Sequence, residues 1–336
     1  MEFLMADWLG TPVWFWMTFI GIVIALTAFD LGILHKEDRE MGIAESLKLS
    51  AFYISIALAF GVWVWIEKGA DLGMKYYTGF FIEKALSIDN VFVISLIFTF
   101  FAIPPKYQYR ALLWGILAVI VLRGIMIALG AALVEQAYWV LYIFAAFLIF
   151  TGVKMFFAGD HDPDVSKNPV VKWISSHMRV TKELHAQHFF VKVPDDKTGK
   201  LVTAATPLFL ALVVINLADL VFAVDSVPAI FAITTDTFIV YTSNIMAILG
   251  LRALYFALSA MVHRFYYLKY ALAAVLIFIG SKIFIADFVM GGEKFPPVLS
   301  LGVTAALIAA GVFYSLWATR HGEDAAPQLP HDEIRP

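Results

Sequence analysis

The chain has 336 residues, of which 61% are hydrophobic and 15% are charged, and its formal net charge is −3. Ordinary soluble domains contain about 25% charged residues, so lipid rather than water is expected to surround most of this chain. No basic run or zinc-finger spacing indicates nucleic acid as a partner. The sequence contains no cysteine, which excludes disulfides, thiolate metal sites and cysteine nucleophiles from these residues.

Apolar runs of about 20 residues, the length needed to cross a bilayer as a helix, recur along the chain. The first run follows Glu2 and Asp7 rather than a basic region, so we expect a retained span and not a cleavable signal peptide. The sequence therefore predicts an all-α membrane protein with about nine transmembrane helices. The candidate spans are 12–34, 48–66, 76–101, 110–133, 138–158, 204–232, 238–260, 268–288 and 297–318.

Basic residues in the loops predict the orientation of the chain. With the N-terminus outside, the inner loops and tail contain sixteen Lys and Arg residues, whereas the outer loops contain Lys68, Lys75 and Lys294. Because basic residues concentrate on the cytoplasmic side of membrane proteins, we expect the N-terminus outside and the C-terminus in the cytoplasm.

One polar segment, residues 159–203, separates the spans and is a candidate surface for a protein partner. Its first part, 167–181, is predicted to be a short amphipathic helix, and 188–203 is predicted to be a β-hairpin. The tail after Arg320 is polar and contains prolines, which indicates disorder. The loop histidines leave two alternatives open, a sensor of intracellular metal or a solvated polar loop; they are His161, His177, His185 and His188.

The chain contains an internal repeat. Residues 81–90 match residues 217–226, because both segments contain two carboxylates six residues apart, followed directly by a small polar residue. Arg123 then matches Arg252 in the second span of each copy. In the third span, the segment Phe150–Lys154 matches the segment Phe278–Lys282.

Each copy of the repeat has three spans, an odd number, so adjacent copies must cross the membrane in opposite directions. Secondary transporters with such inverted repeats hold their substrate between the two halves, near the bilayer midplane. The predicted organisation is two N-terminal spans (1–75), repeat 1 (76–158), a cytoplasmic loop (159–203), repeat 2 (204–288), a final span (289–318) and a disordered cytoplasmic tail (319–336).

Four carboxylates, those of Glu83, Asp89, Asp219 and Asp225, lie well inside apolar sequence. Ionisable groups in a span are costly unless they are paired or hydrated, and they usually mark function. Carboxylate, amide and hydroxyl oxygens suit Mg²⁺, Ca²⁺ and Mn²⁺. The candidate ligands of a metal ion are these four acids together with the adjacent Asn90 and Ser226, and further candidates are Asn216 and Asn244.

A structural alternative is that the acids only pair with the buried cations Arg123 and Arg252 and lock the helices together. The candidate charge-balancing residues are Lys84, Arg123 and Arg252. In the same way, Asn244 is either a ligand or a residue that bonds to a neighbouring helix.

Helix geometry limits how the acids can share one cavity. Residues six apart are about 120° apart around an ideal helix, whereas residues seven apart are nearly in line. Glu83 should therefore share a face with Asn90, and Asp219 with Ser226. A single site with all four acids requires locally broken helices, and the sequence indicates a break only near Pro228, which removes a backbone hydrogen bond.

Three segments resemble the TerC family of bacterial and plastid membrane proteins, and in particular its Alx-type manganese exporters. They are Glu83–Phe92 (EKALSIDNVF), Phe222–Ala232 (FAVDSVPAIFA) and Thr242–Arg252 (TSNIMAILGLR). The resemblance implies a bacterial inner-membrane transporter related to the LysE superfamily. It also implies that the essential acids are Glu83, Asp89, Asp219 and Asp225. Members of the family often have glutamate at the position of Asn216, so this chain offers one negative charge fewer there.

The resulting prediction is a secondary transporter that exports Mn²⁺ from the cytoplasm, with a proton or Na⁺ gradient as candidate driving force. No permanently bound cofactor and no enzymatic activity are expected, and no Walker A motif indicates the use of ATP. Two alternatives stay open, a membrane assembly or metallation factor that works with a partner, and a transporter of another cation such as Ca²⁺. An intramembrane protease is disfavoured because no buried aspartate follows a Gly-x-Gly motif.

Overall fold

A computed structural model describes residues 2–33, 42–137, 139–157, 179–181, 183–194, 201–258, 267–291 and 295–320. The helices are α1 (Glu2–Met5), α2 (Val13–Ile33), α3 (Ile43–Lys68), α4 (Ala70–Phe100), α5 (Pro105–Gln136), α6 (Val140–Phe157), α7 (Pro207–Phe231), α8 (Thr237–Leu249), α9 (Leu251–Leu258), α10 (Leu268–Phe284) and α11 (Pro297–Arg320). The strands are β1 (Asp7–Trp8), β2 (Thr11–Pro12), β3 (Phe190–Pro194) and β4 (Leu201–Ala205).

The helices confirm the prediction of an all-α membrane protein. Within the described residues, seven helices are long and apolar enough to cross a membrane: α2, α3, α5, α6, α7, α10 with its π-helical extension Ile285–Val289, and α11. The pair α8 and α9, bent by 41°, would make an eighth span. Helix α4 is also long enough but contains five charged residues, so the predicted total of nine, which counts α4, stays a prediction.

The predicted break at Pro228 is wrong, and the break in repeat 2 lies elsewhere. Helix α7 continues through Pro228 and ends at Phe231. The bend separates α8 from α9 at Gly250, two residues before Arg252. A glycine weakens a helix by about 0.5–1 kcal/mol relative to alanine, which favours a bend at this position.

A single glycine joins α3 to α4. Gly69 has φ +91°, a conformation that glycine adopts at little cost, and it allows the chain to reverse between two long helices. Lys68, at the end of α3, donates hydrogen bonds to Thr11 at 2.7 Å and to Asp236 at 3.0 Å. Because Asp236 also caps the N-terminus of α8 by accepting from the Ile239 amide, this corner fixes the start of α8 against β2 and α3.

The third helices of the two predicted repeats, α6 and α10, pack closely through equivalent glycines. A Cβ at Gly152 would lie 2.7 Å from the carbonyl oxygen of Ala273, and a Cβ at Gly280 would lie 2.6 Å from that of Ala145. Residues 145 and 273 differ by the same offset, 128, as residues 152 and 280. In the same way, the second helix of each copy packs on the first helix of the other copy: α5 packs on α7, and α8 packs on α4. These reciprocal contacts support the predicted repeat, since a two-fold axis would generate them.

The predicted β-hairpin is confirmed. Strands β3 and β4 pair in antiparallel register from Phe190–Ala205 to Pro194–Leu201. The hairpin joins α7 directly. The Thr206 hydroxyl donates to the carbonyl oxygen of His188 at 2.7 Å, and the tilted rings of Phe190 and Phe209 pack with their centroids 4.5 Å apart. Most of the predicted helix 167–181, all of the tail beyond Arg320, and His161 and His177 lie outside the described residues.

The close crossing of α6 and α10 predicts that Gly280→Ala destabilises the protein. The new methyl group would overlap backbone, which cannot move aside like a side chain, so we expect a loss of about 1–3 kcal/mol. The measurement is the melting temperature of the detergent-purified protein. Gly302→Ala in α11 is the control, because a Cβ at Gly302 meets nothing within 4 Å. Equal melting temperatures for the two variants would contradict the close crossing.

Candidate ion-binding site

A buried guanidinium lies where the two predicted repeats meet. Arg123, in the middle of α5, is 1% exposed and forms a two-pronged ion pair with Asp219 of α7. Its Nε donates to Asp219 Oδ2 at 3.0 Å, and its Nη2 donates to Asp219 Oδ1 at 2.9 Å. This planar fork fixes the orientation of both side chains more strongly than a single hydrogen bond would.

The other terminal nitrogen of Arg123, Nη1, contacts three more oxygens. Nη1 pairs with Glu83 of α4, and it donates to Asn244 Oδ1 at 2.9 Å and to Ser226 Oγ at 3.2 Å. The Asn244 amide in turn donates to Glu83 Oε2 at 3.0 Å. Four helices, α4, α5, α7 and α8, therefore converge on one charged cluster inside the protein.

Three sequence-predicted ligands come together in this cluster, and one candidate joins them. Glu83, Asp219 and Ser226 all contact Arg123, and so does Asn244. Glu83, Ser226 and Asn244 are at most 2% exposed, while Asp219 is 8% exposed. Arg123 thus forms ion pairs with two of the acids, and Asn244 bonds both to a neighbouring helix and to a candidate ligand.

The seven-residue spacing on α7 explains why Asp219 and Ser226 meet the same guanidinium, because residues seven apart lie on one helix face. On α4 the same spacing has a different outcome. Glu83 contacts Arg123, whereas Asn90, two turns further along α4, lines a cavity of about 30 Å³. That volume is enough for a water molecule. Polar groups of the cavity wall come from Asn90, Asp219 and Arg252, beside Gly115 and Phe222.

Arg252, the repeat counterpart of Arg123, has other partners. Its guanidinium pairs with Asp30 of α2 and lies 4.0 Å above the ring centre of Tyr109. The Tyr109 hydroxyl donates to the backbone oxygen of Asp30 at 3.1 Å. Sequence reasoning missed Asp30, although a carboxylate inside the first predicted span was the available signal.

The remaining candidates lie apart from the cluster. Lys84 donates to the carbonyl oxygen of Ala247 at 3.0 Å, close to the end of α8, where the helix dipole favours a cation. Asn216 donates to the carbonyl oxygen of Leu212 at 2.8 Å, and its own buried oxygen accepts no hydrogen bond from the residues described. Neither contact involves an acid or an ion, and the roles predicted for Lys84 in charge balance and for Asn216 in ion binding stay predictions.

Helices α4 and α7 include the backbones of Asp89 and Asp225, but the side chains of these two predicted ligands lie outside the described residues. Among the residues described, no group of three or more His, Cys, Asp or Glu side chains is placed to hold a metal ion. Glu83 and Asp219 form a pair of carboxylates that share one guanidinium.

The Arg252 pair predicts a cost for removing Asp30. Asp30→Asn would leave a guanidinium that is 1% exposed without its anionic partner, for which we expect a loss of about 3–5 kcal/mol. The double variant Asp30→Asn with Arg252→Gln should recover part of this loss. The melting temperature in detergent measures both effects.

The control for this prediction is Asp71→Asn. Asp71 pairs with Lys75 at 2.5 Å, but its side chain is 60% exposed, so the change should have little effect on stability. Equal losses for Asp30→Asn and Asp71→Asn would contradict a stabilising role of the buried pair.

Comparisons with known proteins agree with this architecture. The model of the integral membrane protein TerC family matches residues 68–323. An uncharacterized membrane protein of Rickettsia bellii is 48% identical over 301 residues, which cover 90% of this chain and 96% of that protein. A Myxococcus xanthus membrane protein is 42% identical over 315 residues, covering 94% and 96% of the two chains.

A third relative, from Salmonella typhi, is named as a candidate membrane-bound redox modulator, Alx. It is 41% identical over 317 residues, which cover 92% of this chain and 95% of that protein. No solved structure matches the chain significantly. Because the family model spans most of the sequence and these relatives align over nearly their whole lengths, the chain belongs to the integral membrane protein TerC family.

Proposed function

We propose that the protein is a secondary transporter that exports Mn²⁺ from the bacterial cytoplasm. The observation that carries this proposal is the convergence of Glu83, Asp219, Ser226 and Asn244, from both predicted repeats, on one cationic centre inside the protein. Carboxylate, hydroxyl and amide oxygens are the ligand set that hard divalent cations prefer. A site between two halves is also where inverted-repeat transporters hold their substrates.

The charges of the central helices suit a divalent ion. The acidic and charge-balancing residues of the candidate site, together with Asp30, comprise five carboxylates and three cations. The acids are Asp30, Glu83, Asp89, Asp219 and Asp225, and the cations are Lys84, Arg123 and Arg252. The difference is two negative charges, so one divalent cation, or two protons, would neutralise the set. This balance favours the exchange of a divalent ion for protons.

Transport requires that the site open alternately to the two sides. Because repeat 1 and repeat 2 each contribute carboxylates to the cluster, a rocking motion between them would expose the same oxygens first to one side and then to the other. The proposed orientation has the N-terminus outside the inner membrane and the C-terminus in the cytoplasm, in agreement with the excess of basic residues in the inner loops.

A second candidate role is that of an assembly or metallation factor with a protein partner. It is favoured by the hairpin β3–β4, which contacts the first turn of α7 through Thr206 and Phe209, so that binding there would act on a helix of the ion site. The redox role in the name of the Salmonella relative concerns that protein. This chain contains no cysteine, so an effect on redox state would come from the transported metal rather than from its own thiols.

The proposal predicts that neutralising the central acids abolishes Mn²⁺ uptake into inverted membrane vesicles. We expect Asp89→Asn, Asp225→Asn and Asp219→Asn each to reduce the initial rate about tenfold or more, because each removes a charge that binds the ion. The measurement is Mn²⁺ accumulation under an imposed proton gradient, and then under a Na⁺ gradient. Competition by Ca²⁺ and Mg²⁺ in the same vesicles tests the choice of ion.

Asp71→Asn is the matched control, because it removes a carboxylate from α4 at the exposed end of that helix. It should transport at the wild-type rate. Wild-type rates in both Asp89→Asn and Asp225→Asn would contradict the site. A wild-type protein without Mn²⁺ flux that still binds a partner through the hairpin would favour the second role.

A further inference from the structure

We propose that Arg123 is a built-in counter-cation, which fills the ion site when no transported ion is bound and must leave before an ion can enter. The inference rests on the proposed function, because it concerns how the same site returns across the membrane without its cargo. It assigns to Arg123 a part in the transport cycle and not only in structure.

Arg123 and Asn244 already donate to the side-chain oxygens of the site. Both carboxylate oxygens of Asp219 accept hydrogen bonds from Arg123. One oxygen of Glu83 pairs with Arg123, and the other accepts from the Asn244 amide. The side-chain oxygens of Ser226 and Asn244 also accept from Arg123. A metal ion could use these ligands only by displacing the guanidinium.

A mobile counter-cation solves a problem that every carrier with a buried anionic site faces. Two unpaired carboxylates inside a membrane protein are costly and repel one another, which would prevent the unloaded carrier from changing conformation. Arginine keeps its charge under all physiological conditions, so it offsets one of the two carboxylate charges throughout the cycle, whether or not protons bind from either side.

The second repeat shows where a displaced arginine can go. By the offset that matches Arg123 to Arg252, Asn244 corresponds to Gly115, and in the acidic segments Ser226 corresponds to Asn90. Gly115, Asn90 and Arg252 all line the 30 Å³ cavity, together with Asp219. The cavity is therefore the repeat counterpart of the Arg123 cluster, and Asp219 borders both.

The two equivalent arginines, Arg123 in the cluster and Arg252 at the cavity, have different partners. In the cluster, Arg123 points at the site oxygens and fills the space between them. At the cavity, Arg252 pairs with Asp30 and stacks on Tyr109, both outside the acidic segments. Arg123 thus donates to the acids of the site, whereas Arg252 pairs with Asp30, an acid outside the predicted repeats. The displaced position of Arg252 is what an arginine that has released its site would adopt.

The test separates net transport from exchange. The purified protein is reconstituted in liposomes, and two rates are measured: net Mn²⁺ efflux, which needs the return of the unloaded carrier, and exchange of internal radiolabelled Mn²⁺ for external Mn²⁺, which does not. We expect Arg123→Gln to retain exchange and to lose net efflux about tenfold or more, because the unloaded site lacks its cation. Arg123→Lys, which keeps the charge, should retain both rates.

Binding gives a second measurement that does not depend on transport. The affinity of the detergent-purified protein for Mn²⁺, measured from the electron paramagnetic resonance signal of the free ion, should rise about tenfold in Arg123→Gln, since no competing cation has to be displaced. Lys154→Gln is the control, because it removes an exposed positive charge from α6 and should change neither affinity nor either rate.

Three results would overturn the inference. The first is a folded Arg123→Gln protein that loses exchange as strongly as net efflux, because Arg123 would then only hold the ligands in place. The second is wild-type net efflux in Arg123→Gln, and the third is unchanged Mn²⁺ affinity.

If Arg123→Gln does not fold, Arg123→Lys replaces it in the binding assay, where a lysine that contacts fewer oxygens should still give tighter binding than wild type. A wild-type protein without net efflux or exchange would reject the proposed function instead, and the binding assay would still decide the role of Arg123.

Discussion

The interaction between one guanidinium and two carboxylates, at the centre of four helices, governs the interior of this protein. Lipid and packed apolar side chains cannot solvate Glu83 or Asp219, so these acids can be buried only with a cation and with donors that satisfy their oxygens. Arg123 supplies the cation and most of the donors, and Asn244 supplies one more. Helices α4, α5, α7 and α8 must therefore meet at this level, and the capped corner at Lys68 and Asp236 fixes where α8 begins.

The scaffold around this cluster agrees with the predicted repeat, but the contacts within the cluster are not repeated. Gly152 and Gly280 make equivalent contacts where α6 crosses α10, as two copies of one unit would. Arg123 and Arg252, in contrast, have different partners, and the difference arises from a helix outside the repeat, because Asp30 belongs to α2. An added helix thus provides the acid that holds one of two equivalent arginines away from the shared Asp219.

The sequence predicted those parts of the site whose signal is local or repeated. Charged residues in apolar segments identified Glu83, Asp219 and Arg123, and the seven-residue spacing placed Ser226 with Asp219. The same spacing could not show that Asn90 faces a cavity while Glu83 faces Arg123, because that depends on how α4 is turned against its neighbours.

Two further features depended on tertiary contacts. Pro228 was the expected break, yet α7 continues through it, and the bend lies at Gly250, where a glycine rather than a proline weakens the helix. Asp30 was overlooked because its partner is more than 200 residues away along the chain, and no local pattern links the two.

Under the proposed function, the charge on Arg123 also bears on which ions could bind. A monovalent ion that displaces the guanidinium replaces one positive charge with another, so the electrostatic balance of the carboxylates gains little. A divalent ion brings one charge more than it displaces, and the gain is large where the surroundings screen charges poorly. Competition with an internal monovalent cation therefore favours divalent ions before cavity size or ligand number distinguishes Mn²⁺ from Ca²⁺ or Mg²⁺. In the proposed transporter, the residue that allows the carboxylates to be buried would thus also decide how much charge a transported ion must bring.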